Sequence, residues 1–258
     1  MEVTFLGTGT SHGVPMIGCG CETCTSDDPR DRRMRPSILV DTDDGAAILV
    51  DAGPDLRAQA LAYRVTRVDA IIFTHGHADH ILGLDDVRRY NAIMRQPMAL
   101  YGDALTIADI RRLFGYVFDP ASPKGGGLPQ LELFTIAGSF CLRRQEVVPV
   151  PILHGSRPIL GLRFARFAYL TDCSAIPDAS LPLLEGLDVL VLDALRERPH
   201  PTHFSLSEAV DAARRIGARR TYFTHMCHDL AHEPTCAKLP DGMSLAYDGQ
   251  MVRLDRCT

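Results

Sequence analysis

Short apolar runs, separated by polar and glycine-containing segments, recur along the whole chain. Runs of this length are typical of buried β-strands. The predicted strands are residues 3–6, 37–40, 47–50, 70–73, 147–153, 160–164, 168–170, 189–192, 221–223, 244–247 and 251–254, with one more that ends at Tyr101. The predicted helices are residues 56–65, 105–114 and 205–216. Many strands with interspersed helices predict an α/β (α+β) fold in which two sheets are covered by helices.

Length and composition favour one globular domain. The 258 residues are enough for one large domain or two small ones. Neither a Ser/Pro-rich linker nor a low-complexity tract marks a boundary, so we predict a single domain over residues 1–258. Apolar residues make up 46% and charged residues 23%, which is ordinary for a globular protein. With a net charge of −5, the chain lacks the excess of positive charge that binds a nucleic-acid backbone, so no long nucleic acid is expected as a partner.

The start of the chain lacks the basic and then apolar pattern of a signal peptide. No apolar run approaches the roughly 18 residues that a membrane span needs. The expected compartment is therefore the cytoplasm, with no membrane partner. Cysteines in a reducing compartment are more often metal ligands, catalytic groups or buried small residues than disulfides. The oligomeric state is not determined by the sequence, and a homodimer is compatible with it.

The segment THGHADH at residues 74–80 is the strongest chemical signal. It follows a predicted strand, so its side chains are expected at the carboxyl edge of a sheet, where ligands bind in α/β folds. His75 and His77 can point together, whereas Asp79 and His80 can serve a second centre. Imidazole and carboxylate suit zinc, manganese or iron(II) better than calcium or magnesium. Helix capping by Asp79 is the structural alternative, but it leaves three histidines unexplained.

Three more ligand-type residues follow predicted strands. His154 follows the run 147–153, Asp172 ends the segment YLTD, and His225 ends the segment YFTH. A single histidine after a strand is usually a surface or core residue. Three such positions together favour ligands of one site.

The stretch GCGCETC at residues 18–24 brings three thiols together with C-x-C-x-x-C spacing. Its cysteines are Cys19, Cys21 and Cys24. Three thiolates and one histidine make a closed tetrahedral zinc site, which is structural because no position is open. His228 is the preferred fourth ligand, with Cys227 as a rival and Cys236 as a weaker one. Unligated packing and a redox pair are the alternatives, but clustered free thiols oxidise readily.

The segment PTHFSLSEA at residues 201–209 contains a helix start. Ser205 is predicted as the N-cap residue, and Glu208 completes a capping box. His203 lies just before this cap, in a loop that can overhang a metal site. It is either a solvated loop residue or a group that contacts phosphate or protonates a leaving oxygen. Two other histidines are expected to be exposed, His200 and His232.

THGHADH, together with the three later ligand-type residues, resembles the metallo-β-lactamase superfamily over nearly the whole chain. The resemblance implies a four-layer αβ/βα sandwich, in which two mixed sheets pack face to face beneath outer helices. It also implies two divalent metal ions, zinc or manganese or else iron. The first ion would be held by His75, His77 and His154. The second would be held by Asp79, His80 and His225, with Asp172 as the bridging ligand.

Such a site implies hydrolysis. Two cations about 3.5–4 Å apart share a water molecule whose pKa falls toward about 7. The resulting hydroxide would attack a carbonyl or phosphoryl centre, and Asp79 and His203 are the expected catalytic residues. Members of the superfamily hydrolyse lactams, thioesters, lactones and phosphodiesters, so the motif indicates the reaction type better than the substrate.

The segment around His203 resembles the His-x-Ser region of the phosphodiesterase branch. That branch includes tRNase Z and the phosphoribosyl 1,2-cyclic phosphodiesterases of the carbon–phosphorus lyase pathway. A tRNA-binding arm separates the histidine and the bridging aspartate of tRNase Z, whereas only a short segment separates His154 from Asp172 here. The cyclic phosphodiesterases also share GTGTSHGVP and a Cys₃His zinc clip in their N-terminal loop, here about residues 7–36. His12 lies in this loop and is a candidate substrate contact.

The expected function is therefore hydrolysis of a small phosphodiester at a dinuclear metal site, with one separate structural zinc ion. Phosphoribosyl 1,2-cyclic phosphate and a cyclic nucleotide are the candidate substrates. A thioesterase or lactonase of the glyoxalase II type shares the histidine motif and is the enzymatic alternative. A non-catalytic metal-binding scaffold is the alternative from another class, and its signature would be a missing ligand.

Overall fold

The computed structural model describes residues 1–123 and 127–254, and its strands form two seven-stranded sheets. The first sheet has the order β14-β1-β2-β3-β4-β5-β6. Its strands are β1 (Glu2–Gly7), β2 (Ser37–Asp41), β3 (Ala47–Val50), β4 (Ala70–Ile72), β5 (Met98–Gly102), β6 (Leu131–Thr135) and β14 (Met251–Arg253). Strands β3 to β6 pair in parallel, whereas β14, β1, β2 and β3 pair antiparallel, so the sheet is mixed.

The second sheet has the order β13-β12-β11-β10-β9-β8-β7. Its strands are β7 (Phe140–Leu142), β8 (Gln145–His154), β9 (Arg157–Phe164), β10 (Phe167–Leu170), β11 (Val189–Asp193), β12 (Arg220–Thr224) and β13 (Met243–Leu245). Strands β10 to β13 pair in parallel and β7 to β10 pair antiparallel. The two sheets are therefore built alike, each with a parallel half and an antiparallel half.

Helices cover the outer face of each sheet. The helices are α1 (Leu56–Ala62), α2 (Ala78–Ile81), α3 (Arg88–Met94), α4 (Ala104–Leu113), α5 (Gly115–Phe118), α6 (Leu206–Ile216) and α7 (His232–Cys236). The part of the chain that the structure describes also contains three 3-10 helices, Pro29–Asp31, Leu84–Val87 and Asp178–Leu184. Among the described residues, no helix is both long enough and apolar enough to cross a membrane.

Three buried apolar clusters hold the layers together. The central cluster joins inward-facing side chains of both sheets, among them Phe5, Val50 and Tyr169. The second packs helix α6 on the second sheet, and the third packs helices α1 to α4 on the first sheet. Because one apolar face of each sheet meets the other sheet and the opposite face meets helices, the four-layer prediction is confirmed.

The predicted strands are all present, with ends that differ by a few residues. Helix α1 ends at Ala62 rather than at residue 65, because Arg64 adopts a left-handed backbone with φ 54°. The sequence pattern did not predict β6 and β7, whose side chains are half-buried or exposed and so lack an apolar run. The predicted capping box of helix α6 forms, with Ser205 and Glu208 bonded in both directions.

The long loop between β1 and β2 is fastened to the segment that follows β12. Gly9 forms a parallel bridge with Met226. The buried guanidinium of Arg33 donates to the carbonyl oxygens of Cys227 at 2.9 Å and Leu230 at 2.5 Å. These contacts join the two sheets at the end where the histidines gather.

Candidate metal centre and neighbouring cavity

The carboxyl ends of six strands converge at one end of the sandwich. Strands β3, β4, β8, β10, β11 and β12 each end beside a histidine or an aspartate of the group described below. Since both sheets present these ends on the same side, residues far apart in sequence form one polar centre.

The first cluster contains His75, His77 and His154, whose ligand atoms all lie within 4.8 Å of one another. The rings of His75 and His77 are 4.4 Å apart between centroids, and those of His77 and His154 are 5.1 Å apart. The Nδ1–H of His154 donates to the carbonyl oxygen of Thr202 at 2.7 Å, which turns its Nε2 toward the other two histidines. The structure thus brings together the three residues predicted for a first ion.

The second cluster contains Asp79, His80, Asp172 and His225, again within 4.8 Å of one another. The last three are buried, and the side chain of Asp79 is 12% exposed. Asp172 lies between the imidazoles: Oδ2 is 3.1 Å from Nε2 of His80, and Oδ1 is 3.2 Å from Nε2 of His225. Oδ1 of Asp172 is also 3.9 Å from Nε2 of His75, a member of the first cluster. Asp172 therefore occupies the bridging place between the two clusters.

The backbone is strained at three points of this centre. Asp51, Asp172 and His225, each just after a strand, have positive φ values of 62°, 55° and 60°. Such a conformation is costly for residues other than glycine and persists where surrounding contacts impose it, commonly at functional sites. It turns the two ligand-type side chains, Asp172 and His225, back toward the space between the sheets.

Asp51 orients His80 and was missed by the sequence analysis. Its fully buried carboxylate accepts a bond from Nδ1 of His80 at 2.7 Å and two more from the backbone N–H and hydroxyl of Thr74 at 2.9 Å. Burial raises the pKa of Asp51, and the His80 imidazole opposes that rise. With Nδ1 engaged, Nε2 of His80 faces the cluster.

The donor set fits divalent metal ions. The Nε2 atoms of His75, His80 and His225 are buried and make no hydrogen bond among the described residues. The Nε2 atoms of His80 and His225 lie 3.1 Å and 3.2 Å from the carboxylate oxygens of Asp172, but the angles at these contacts are not those of hydrogen bonds. Ligands of a tetrahedral zinc ion, each about 2.0–2.1 Å from the metal, lie about 3.3 Å from one another. Buried polar atoms at this spacing and without partners are explained by a shared cation.

His203 lies against both clusters rather than in solvent. Its ring centroid is 4.7 Å from that of His154 and 4.7 Å from that of His225, with which it stacks. Nδ1 of His203 is 3.2 Å from Oδ1 of Asp193, whose Oδ2 accepts the backbone N–H of Phe204 at 3.0 Å. Burial lowers the pKa of His203 to about 4, so the ring is neutral near pH 7.

Asp193 is a second carboxylate that the sequence analysis missed. It is fully buried, and its Oδ1 also lies 3.5 Å from Nδ1 of His225. Burial raises its pKa well above the usual range. Asp51 follows the apolar strand β3, and Asp193 is the last residue of β11, after four apolar residues. An aspartate after an apolar run is the signal that identified Asp172. Applied consistently, that signal would have found all three.

The cysteine cluster forms around His228. Nδ1 of His228 is 3.2 Å from Sγ of Cys19, 3.3 Å from that of Cys21 and 3.6 Å from that of Cys24. A tetrahedral zinc ion with bonds of about 2.3 Å to sulfur and about 2.0–2.1 Å to nitrogen would separate these atoms by about 3.5 Å. Of the three candidates for the fourth position, His228 is the one that joins the cluster.

The two rival cysteines point elsewhere. Sγ of Cys227 accepts the backbone N–H of Asp229 at 3.3 Å, and Sγ of Cys236 accepts that of Leu245 at 3.3 Å. The expectation that His232 is exposed is wrong: only 4% of it is accessible, and its ring packs edge-on against Tyr247.

A cavity of about 290 Å³ opens beside His203, between the N-terminal loop and the segment after β11. Its lining includes the predicted substrate contact His12, and His200, which is half-buried rather than exposed. His203 belongs to the lining as well, so this cavity and the two clusters share one residue. A small molecule in the cavity would contact His203 next to the clusters.

Comparisons with known proteins agree with this arrangement. A beta-lactamase superfamily domain matches residues 46–226. The crystal structure of a diphosphatase from the PhnP family is 47% identical, covers 97% of this chain and 96% of its own, and superimposes with a TM-score of 0.91. Zinc-bound PqqB from Methylobacterium extorquens, at 20% identity, covers 98% of this chain and 100% of its own with a TM-score of 0.80, and so shares the fold.

One curated relative is much longer than the chain. The octanoyltransferase of Porphyromonas gingivalis is 35% identical over 259 residues, which make up 99% of this chain but 52% of that protein. The chain thus spans about half the length of that relative. From the matched domain, the PhnP-family structure and the clustered ligand-type side chains, we conclude that the chain belongs to the metallo-β-lactamase superfamily and is a metal-dependent hydrolase related to PhnP.

Proposed function

We propose that the protein is a dinuclear metal-dependent phosphodiesterase that hydrolyses a small, cyclic phosphodiester, such as phosphoribosyl 1,2-cyclic phosphate or a cyclic nucleotide. The observation that carries the proposal is the position of His203, held by Asp193 between the two clusters and a small cavity. The 47% identity to a PhnP-family diphosphatase supports phosphorus chemistry.

The ligand assignment follows the two clusters. His75, His77 and His154 would hold one ion, and Asp79, His80 and His225 the other, with Asp172 shared. When bound, the ions would act as Lewis acids on the phosphoryl oxygens and lower the pKa of a water molecule. The identity of the ions, zinc or manganese or iron, would follow availability, because imidazole and carboxylate ligands accept all three.

The protein's own groups would orient the reaction. Asp193 holds Nδ1 of His203, which leaves Nε2 as the ring nitrogen available to the substrate. In the hydrolysis, the oxygen of water becomes bonded to phosphorus, the phosphorus–oxygen bond to the leaving group breaks, and the leaving oxygen gains a proton. With its pKa raised well above the usual range, a protonated Asp193 carboxyl would donate to Nδ1 of the neutral ring, so that Nε2 carries the ring proton. The Nε2–H would then stabilise the departing oxygen by a hydrogen bond, or protonate it while the Asp193 proton passes to Nδ1. Asp51 and Thr202 would keep the ligand rings turned inward.

The short segment between His154 and Asp172 supports a small substrate. This segment consists of the tight β8–β9 connection, β9 and β10, and all of it belongs to the second sheet. It contains no projecting arm with which to bind a long nucleic acid.

We further propose that Cys19, Cys21, Cys24 and His228 hold a structural zinc ion. A closed set of four protein ligands leaves no position for substrate. The ion would add to the contacts of Arg33 in joining the N-terminal loop to the segment after His225.

Hydrolysis assays with added manganese test the proposal directly. Turnover of bis(p-nitrophenyl) phosphate, and none of an octanoyl thioester, is expected. The thioester tests the thioesterase alternative. Its octanoyl group is chosen because one relative is named an octanoyltransferase. Thioester turnover without phosphodiester turnover would establish the alternative. No turnover of any ester, by protein that binds metal, would favour a non-catalytic scaffold.

A further inference from the structure

A groove between helices α1 and α3 has no part in the reaction proposed above. Its volume is about 500 Å³, and its walls are helix α1, the segment just after it, the 3-10 helix Leu84–Val87 and helix α3. Its lining shares no residue with the two metal-ligand clusters, the cysteine cluster or the cavity beside His203. The groove is therefore separate from the sites described so far.

The floor of the groove is apolar and held in place. Leu56 and Tyr90 belong to the lining, and only 2% and 5% of their surfaces are accessible. The hydroxyl of Tyr90 donates to the carbonyl oxygen of Val65 at 3.0 Å. Because this bond ties helix α3 to the segment after helix α1, the groove is present before any partner binds.

Large apolar side chains on both walls remain in solvent. Leu61 on helix α1 is 64% exposed, and Ile93 on helix α3 is 47% exposed. Leu61 lies four residues after Arg57, and Ile93 lies three residues after Tyr90. Residues with this spacing share one face of a helix, so both helices direct apolar surface toward the groove. Removal of this surface from water favours association with an apolar partner.

Three arginines line the same groove: Arg57, Arg64 and Arg89. All three are exposed, and none of their guanidinium groups forms an ion pair or a hydrogen bond within the part of the chain that the structure describes. Arg67, which lies outside the groove, is by contrast paired with Asp69 at 2.7 Å. The three groove arginines therefore keep their donors and their charge available.

The groove carries a positive charge on an acidic protein. Asp86 is the acidic residue in the described lining, so three guanidinium groups face one carboxylate. The chain as a whole has a net charge of −5. A local positive region of this kind attracts negatively charged partners.

An acidic amphipathic helix matches both the apolar and the charged features. Helices dock into grooves through apolar residues at positions i, i+3, i+4 and i+7. Acidic residues beside that stripe would meet the arginines on either wall, and such charge complementarity determines which partner binds.

Other occupants match less well. A fatty acid has one carboxylate and would leave two of the three guanidinium groups without a partner. Small-molecule sites bury most of their ligand, whereas this groove is open enough to leave Leu61 and Ile93 exposed. A membrane surface is flat and would not fill a concave groove.

We propose that the groove between helices α1 and α3 is a docking site for an acidic amphipathic helix of a partner protein. The apolar stripe of that helix covers Leu61 and Ile93, and its carboxylates pair with Arg57, Arg64 and Arg89. The site lies outside the metal centre, so the proposal goes beyond the phosphodiesterase function and does not depend on it.

Fluorescence anisotropy with three labelled peptides tests the proposal. The first peptide is a helix with leucine at positions i, i+3, i+4 and i+7 and glutamate on the remaining face. The second has lysine in place of each glutamate, and the third has the composition of the first in an order that gives no apolar face. The wild type is expected to bind the first peptide about tenfold or more tightly than either of the others. Added sodium chloride should weaken this binding because it screens the charges.

Variants at exposed positions locate the binding. Leu61→Ser, Ile93→Ser and Arg89→Glu should each weaken binding of the acidic peptide about tenfold or more, and unchanged thermal unfolding shows that a variant is folded. Arg89→Glu should also bind the basic peptide more tightly than the wild type does. Leu105→Ser on helix α4 and Arg214→Glu on helix α6 are the matched controls, at exposed positions outside the groove, and should bind like the wild type.

The contrary outcomes are equally specific. Equal binding of the three peptides, or binding that the groove variants leave unchanged, overturns the proposal. Binding of dodecanoate or of phosphatidylglycerol vesicles that Leu61→Ser abolishes, without binding of the acidic peptide, overturns it in favour of a lipid site. Self-association in sedimentation that Leu61→Ser abolishes overturns it in favour of a second copy of this chain. None of these measurements involves turnover of a phosphodiester, so the docking site and the proposed function fail separately.

Discussion

Asp248 makes the stability of this protein depend on pH in a calculable way. Its carboxyl group is buried beneath the N-terminal loop, where it accepts the hydroxyl of Thr8 and the backbone N–H of Met34, both at 2.7 Å. Burial raises its pKa to about 7, against the opposing effect of these bonds and of the Arg33 charge. An unfolded chain would return this pKa to about 3.9.

The size and sign of the effect follow from these two values. Because the folded pKa is the higher one, between about pH 4 and pH 7 the native state keeps a proton that the unfolded chain has released. The stabilisation is complete below about pH 4 and is lost as the pH rises through about 7. A pKa difference of about three units lowers the free energy of unfolding by about 4 kcal/mol between low and high pH. The steepest loss is about 1.4 kcal/mol per pH unit.

Urea unfolding of the wild type and of Asp248→Asn at pH 5, 6, 7 and 8 measures this effect. Asparagine cannot ionise, so the wild-type free energy of unfolding should fall relative to that of the variant by about 3 kcal/mol over this range. Metal ligands titrate alike in both proteins and cancel in the difference. Asp211→Asn, at an exposed position on helix α6, is the control and should show no such trend. A difference between wild type and Asp248→Asn that stays constant with pH would refute the reasoning.

Four further predictions concern the centre and the cysteine cluster. Asp193→Asn should lower kcat about 100-fold or more with little change in KM, because His203 loses its carboxylate partner. Since Asp193 acts through His203, its loss should add little to that of His203→Ala, and additive losses in the double variant would contradict this role. Gly53→Ala should destabilise the protein by about 1–3 kcal/mol in thermal unfolding and reduce metal content, because the new Cβ would lie 1.9 Å from the carbonyl oxygen of Asp79; an unchanged melting curve would exclude this contact. Asp79→Ala should abolish turnover while circular dichroism shows an intact fold, and retained turnover would refute the two-ion mechanism. Cys21→Ser should release about one equivalent of tightly bound zinc in metal analysis, and undiminished zinc would exclude the structural site.

The sequence by itself determined the strands that contain apolar runs, which are all but β6 and β7, and the ligand-type residues of the two clusters. Apolar runs long enough to be buried predicted the two sheets, and the capping box of helix α6 was readable from Ser205 and Glu208. THGHADH was recognisable because its ligands lie on one loop. His154, Asp172 and His225 were recognisable because each follows an apolar strand. These signals are local, so they are present in the sequence before folding.

Only the tertiary structure decided which groups meet. Asp51 contacts His80 across 29 positions, and Asp193 contacts His203 across ten, because the packing of neighbouring strand ends determines these partners. The choice of His228 over Cys227 likewise depends on the loop that Arg33 fastens across the two sheets. The cavity beyond His203 exists because two segments distant in sequence face each other across a gap. Long-range packing, which no local pattern encodes, therefore set the orientation of the ligands and the space available to a substrate.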